Sequence, residues 1–252
     1  MKQLTLLFDL DGMITDLYGT WLPTYNAEMA EDEEPDLEAD GIDGPLHHAV
    51  QNPKGLWEIM NREGFFEGLR PLPGGCETVE WAHGLGHHCK ICTSPGQSLF
   101  APSEKTRWVL KHMPFLRQDD IIIANNKHLV WGDALLDDSV KKIDAWKEKW
   151  PDGAGMGIAW PYNADANFDL RADDYRDTEA AWATLRLGIE RLAGGDDLSQ
   201  LPDELDVDAK QLALGAAMER EHAHDAAHAV EIAMHNLSLD PAHYEKQLSL
   251  TV

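Results

Sequence analysis

Four short apolar runs in this chain each give way to a polar or charged residue, and this punctuation restricts the fold more than any other feature of its 252 residues. Leu6-Leu7-Phe8 stops at Asp9, Asp11 follows two residues later, and Gly12 lets the chain turn away. Ile91-Cys92 stops at Thr93-Ser94, Ile121-Ile122-Ile123 is followed by Lys127, and Ala134-Leu135-Leu136 stops at Asp137-Asp138. Apolar runs of this length read as strands buried on both faces. Residues 75–85, 103–113 and 139–149 have helical character, and 155–160 reads as a further strand. Such alternation indicates an α/β fold with a doubly wound parallel sheet, in which residues 1–11 form the central strand. Ligands of open sheets bind beyond the carboxyl ends of the strands, where the polar residues fall.

The residue types suit phosphate chemistry. Asp9 and Asp11 would repel each other in one crevice, so a cation or a shared proton has to relieve them. A hard divalent cation such as Mg2+ suits their oxygen ligands. The two acids can also divide the work, one as nucleophile and one as acid/base. Asp-x-Asp-Gly also occurs in turns and Ca2+ loops, so the later segments carry the argument. Small hydroxyls and free backbone N–H groups at the end of a strand, as at Thr93 and Ser94, hold phosphate oxygens. Lys127 can meet phosphate as a point charge. Lys105 lies in the 103–113 helix that Ser103 can cap, and competes with Lys127 for the phosphate role, although it reads more readily as part of a solvated helix face.

The order Asp-x-Asp, hydroxyl, lysine, acid pair resembles the haloacid-dehalogenase-type phosphohydrolases. Phe65-Phe66-Glu67-Gly68-Leu69 with Pro73-Gly74-Gly75, Ile91-Cys92-Thr93-Ser94-Pro95, and Lys127 ten residues before Asp137 look like the 5'(3')-deoxyribonucleotidase branch, over roughly residues 1–165. The resemblance implies that Asp9 is the nucleophile and Asp11 the general acid/base, whose carbonyl also binds the metal. It implies phosphate contacts from Thr93, Ser94 and Lys127. It implies Mg2+ held at Asp9, Asp11 and the Asp137-Asp138 pair, with Asp138 ligating directly and Asp137 through a metal-bound water. Asp133, at the start of its strand, should be remote from the metal. The branch often has an aromatic after its first motif; here Leu17 stands there, with Tyr18 next. Asn125 and Ser139 replace basic residues common in the branch. The expected substrate is a deoxyribonucleoside monophosphate, with another small phosphomonoester as the alternative. A non-catalytic interaction protein on the same fold, with a histidine-rich metal-binding tail, is a rival that the intact acids argue against.

The resemblance also places a small helical cap after the first strand, at residues 13–72. That leaves 1–12 and 73–175 as the catalytic core. Residues 16–30 and 54–63 read as the cap helices, and 31–43 as an exposed acidic loop. Trp21, Trp57, Phe65 and Phe66 are candidates for a base-facing wall, although each alone is expected to be cap core. Residues 176–252 are expected to form a C-terminal helical module, with one helix over 176–194, an acidic linker, and two helices within 209–237. His224 and His228 share a helix face there, which reads as a polar histidine-rich face more readily than as a metal site. Met218, Ile232 and Leu237 are expected to cover part of the core or a second copy in a homodimer. Segment 205–248 is similar to a helical domain of unknown function found in phage-associated proteins, which suggests a viral or mobile-element setting.

The formal charge of -24 argues against a nucleic acid polymer as partner, because its phosphates would be repelled. No apolar stretch is long enough to span a bilayer, and the N-terminus runs straight into a strand rather than a signal peptide, so a cytoplasmic protein is expected. Cys76, Cys89 and Cys92 are expected to be reduced, with the Cys89/Cys92 pair in the core rather than in redox or metal work.

Overall fold

The computed structural model describes residues 2–28, 52–172 and 175–195, with single residues at 38, 42, 50, 198 and 218. The other residues of the acidic loop 31–43 and of the tail, including His224, His228 and nearly all of 205–248, lie outside the described residues.

The chain runs β1 (Thr5–Phe8), α1 (Leu17–Glu28), α2 (Pro53–Met60), α3 (Gly75–Gly84), β2 (His88–Thr93), α4 (Ala101–His112), β3 (Ile121–Ile123), β4 (Ala134–Leu136), α5 (Val140–Lys149), β5 (Ala154–Ile158), β6 (Leu170–Ala172) and α6 (Thr178–Gly194). The six strands form one sheet in the order β3-β2-β1-β4-β5-β6. Every neighbouring pair is parallel. β1 pairs on both sides, with Phe8 beside Ile91 and Leu136. The chain steps outward from β1 to β3, then restarts on the other side at β4. A crevice therefore opens beyond the carboxyl ends of β1 and β4, the switch point of such a sheet.

Alternate residues of β1 supply two cores, as the period of a strand requires. Leu6 and Phe8 join the larger cluster with Val79, Trp108, Trp182 and Leu185, while Leu7 joins the smaller one with Leu135, Ile143 and Trp146. α3, α4 and α6 thus contribute to the larger cluster and α5 to the other. Right-handed crossovers account for α3, α4 and α5, since reversing the direction of strand addition reverses the face on which the connecting helix lies.

α2 begins at an Asn52 cap, whose side chain accepts from Gly55 N at 3.0 Å, with Pro53 in the first turn. α1 and α2 pack together, and Tyr25 Oη accepts from Asn52 N at 3.0 Å. Trp21 is fully buried and Trp57 half-buried in this packing.

Two elements depart from expectation. β6 pairs with β5 as a sixth strand that the sequence reading did not include. α6 belongs to the sheet-centred core rather than to a separate C-terminal module starting at 176. Trp182, Leu185 and Ile189 are buried in the larger cluster, and Trp182 Nε1 donates to Met13 O at 3.3 Å. Gly74, at φ 88°, takes a left-handed turn that Trp182 covers. α6 ends at Gly195, at φ 99°. Leu198, beyond that turn, is also buried in the larger cluster. Among the described residues no helix is long and apolar enough to cross a membrane.

Candidate active site

Four carboxylates and three lysines meet at the carboxyl ends of β1, β2 and β4. Asp9 and Asp137 directly follow β1 and β4, and both are buried. Carboxylate oxygens of Asp9, Asp137 and Asp138 lie within 4.8 Å of one another. Lys127, from the turn after β3, is buried between two of them, 2.7 Å from Asp9 Oδ1 and 2.5 Å from Asp137 Oδ2. Asp137 Oδ1 accepts from Ser139 N at 2.9 Å, so both oxygens of Asp137 are engaged by the protein. Lys142, one turn into α5, reaches Asp9 Oδ2 at 3.5 Å.

Electrostatics separate the acids. Burial alone would raise the Asp9 carboxyl, but Lys127, Lys142 and Lys105 hold it well below the usual carboxylate range. Asp138 is pushed up to about 7 by burial and by the charges of Asp137 and Asp9. Asp137 is raised for the same reasons. Burial would lower Lys142, yet the surrounding aspartates hold it protonated.

Asp138 Oδ2 accepts from Tyr162 Oη at 2.5 Å, and Asn163 Nδ2 donates to Asp138 O at 2.9 Å. A β-carbon at Gly12 would overlap this carboxylate, and Gly12 sits at φ 75°. Glycine here fills both needs: a left-handed turn and room for the acid.

Asp11, past the end of β1, pairs with Lys105. Lys105 is fully buried rather than on a solvated helix face. It donates to Ser94 O at 2.7 Å, approaches Thr93 Oγ1 at 3.4 Å, and lies 4.6 Å from the centre of the Phe66 ring. Ser94 Oγ is buried with no hydrogen-bond partner among the described residues. An unpartnered buried hydroxyl is costly unless a ligand meets it.

The structure thus brings Asp9, Asp11, Thr93, Ser94, Lys127, Asp137 and Asp138 to one end of the sheet. Asp133 lies at the other end, bound to Lys2 Nζ at 2.8 Å and Thr5 N at 2.7 Å. Lys142 and Tyr162 were missed as site residues, and Lys105 was read more readily as solvated, since each lies on a helix or turn with no local motif. Tyr18 stacks on Trp160 and Tyr162 at ring distances of 5.5 and 5.1 Å, and is buried there. Among the wall candidates, Phe66 reaches the site through Lys105. Cys89 and Cys92 are free and buried, and burial pushes their thiols up to about 12 and about 11.

The sequence model of one protein family, described as "5' nucleotidase, deoxy (Pyrimidine), cytosolic type C protein", matches residues 2–186. The chain belongs to this family. It is a phosphatase with an α/β, haloacid-dehalogenase-like fold. Similar proteins include the mitochondrial 5'(3')-deoxyribonucleotidase of Mus musculus, 31% identical over 153 residues, which cover 54% of this chain and 65% of that one, just under two thirds. The putative 5'(3')-deoxyribonucleotidase of Bordetella pertussis is 27% identical over 175 residues, 67% of this chain and 90% of the relative. A haloacid-dehalogenase-family hydrolase of Deinococcus radiodurans, solved with bound phosphate and sodium, superposes with a TM-score of 0.50 at 14% identity. The match covers 75% of this chain and 96% of that one, and speaks to the fold alone.

Proposed function

We propose that this member of the family is a Mg2+-dependent 5'(3')-deoxyribonucleotidase that releases phosphate from deoxyribonucleoside monophosphates through an aspartyl-phosphate on Asp9. The observation that carries the reading is the state of Asp9: buried, yet held ionised by Lys127 and Lys142. A carboxylate nucleophile has to be ionised and desolvated, and this one is both.

The donor set fits a hard divalent cation. Asp9, Asp137 and Asp138 offer clustered oxygens, and Asp138 is poised near neutrality where a cation would favour its ionised form. Among the described residues no hydrogen bond meets Asp138 Oδ1, whereas Asp137 has both oxygens bound by protein; this supports direct ligation by Asp138 and a water-mediated role for Asp137. Asp9 and the Asp11 carbonyl would complete the site. When bound, the cation supplies charge stabilisation to the transferring phosphoryl group.

The protein's own groups perform the remaining steps. Thr93, Ser94 and Lys127 hold the phosphoryl oxygens. Asp9 attacks phosphorus and displaces the alcohol oxygen, and Asp11 protonates that oxygen as it leaves. Asp11 then takes a proton from the water that attacks the aspartyl-phosphate, which regenerates Asp9. The segment 13–72 acts as a cap that excludes bulk water from these steps.

The test is a phosphatase screen with Mg2+ over deoxyribonucleoside monophosphates, ribonucleoside monophosphates and sugar phosphates. The reading expects the highest kcat/KM on a deoxyribonucleotide. A clear preference for a sugar phosphate would replace the substrate and leave the chemistry standing.

A further inference from the structure

α4 carries three neighbouring contacts that the mechanism above does not use. Glu104 is fully buried, and its two oxygens accept from Gly64 N at 2.6 Å and Phe66 N at 3.0 Å. One turn on, Trp108 Nε1 donates to Leu69 O at 2.7 Å. Segment 64–69 is thereby tied to one face of α4. Between these ties Lys105 points into the site. Its ammonium has three donors, and Asp11 Oδ2, Ser94 O and Thr93 Oγ1 meet them. The Phe66 ring closes its remaining side at 4.6 Å. Among the described residues Asp11 Oδ1 has only a long contact from Thr15 Oγ1, at 3.5 Å. Lys105 therefore fixes one carboxylate oxygen of Asp11 and leaves the other as the one able to carry a proton.

We propose that Lys105 is a positioning residue for Asp11, and that Glu104 and Phe66 make this positioning depend on the order of segment 64–69. The proposal rests on the reading of Asp11 as the general acid. Its physical content is that proton transfer requires the donor oxygen to be aimed at the leaving oxygen, and geometry of this kind is lost when a supporting contact is removed. Lys105 is placed to orient Asp11, and a segment left loose over the site would let both swing.

A leaving-group comparison tests this. General acid catalysis matters most for a basic leaving oxygen, so it matters more for a deoxyribonucleoside 5'-phosphate than for p-nitrophenyl phosphate. kcat/KM is the parameter to read, because it includes the step in which the alcohol departs. Lys105→Met keeps the stem and removes the charge. It should lower kcat/KM on the nucleotide by roughly a hundredfold and on the aryl ester by about tenfold or less. The double variant with Asp11→Asn should be no worse than Asp11→Asn alone, because the two residues act as one unit. Phe66→Leu and Glu104→Gln, which leave Lys105 and Asp11 in place, should show the same bias at smaller size; they carry the test if Lys105→Met does not fold. Equal losses on both esters in the variants, with Asp11→Asn still biased, would overturn the proposal. An Asp11→Asn protein with no bias at all would instead overturn the role given to Asp11.

Discussion

A buried carboxylate is stable only when nearby charge or hydrogen bonds cancel its loss of water, and at Asp9 two ammonium groups do this. An amide there would keep the shape and lose the nucleophile. Asp9→Asn is therefore expected to fold, by circular dichroism, and to reduce phosphatase activity to background. Asp11→Asn should cost on the order of a hundredfold in kcat, the scale of a lost acid/base group. For the acid pair the measurable quantity is the Mg2+ concentration giving half-maximal activity. Asp137→Asn and Asp138→Asn should each raise it, since ligands and the groups that orient them both support a metal. Asp133→Asn, tied to Lys2 at the far end of the sheet, should leave it unchanged. The residues legible in sequence were those at the ends of apolar runs, because a strand end fixes where its last side chain lies. Lys105 and Lys142 gave no such signal. A lysine on a helix is usually solvated, and only the packing of α4 and α5 against the sheet turns these two inward.

At the scale of elements, α6 offers a direct test of where the core ends. Trp182 packs 6.3 Å from the Phe8 ring and covers Gly74. Trp182→Ala should cost about 3–5 kcal/mol of unfolding free energy, read by denaturant titration, the range for removing a large core aromatic. A surface helix of a separate module would show far less. Its helical spacing was legible, but its docking was not, because an amphipathic helix does not say what it packs against. β6 was missed for a simpler reason: a three-residue strand, Leu170-Arg171-Ala172, is too short to show a period. The approach to β2 carries a pH dependence. His87 Nδ1 accepts from Leu4 N at 3.2 Å, and its buried Nε2 has no partner among the described residues. Burial lowers its pKa from 6.5, so the folded state resists the proton that the unfolded chain accepts. This contribution is present above about 6.5 and is lost as the pH falls below that value through the lowered folded value. Unfolding free energy measured at about pH 7 and about pH 5 should therefore fall further in the wild type than in His87→Gln, which cannot titrate in this range.

For the whole molecule, the charge of -24 and the cluster of aspartates have to be compatible with an anionic substrate. Locally they are, because Lys105, Lys127 and Lys142 offset three of the four site carboxylates, and a divalent cation would leave the site positive. The site residues all precede residue 163, and the last described helix ends at Gly194, with Leu198 the one described residue beyond Gly195 in the core. A chain ending at residue 195 is therefore expected to fold and to hydrolyse substrate at a rate per folded molecule similar to that of the full chain. A folded but inert product would mean that residues beyond 195 complete the site. The doubly wound order was legible because alternating apolar runs and helices admit few topologies, whereas the meeting of distant lysines with the acids required the packed fold. The most direct measurement is to quench the full-length enzyme in acid during turnover of a deoxyribonucleoside 5'-phosphate with Mg2+, and to locate any covalent phosphoryl group by peptide mass spectrometry. The expected result is one phosphoryl group on the peptide at Asp9, absent from Asp9→Asn; a phosphoryl group on any other residue, or undiminished turnover in Asp9→Asn, would contradict the mechanism.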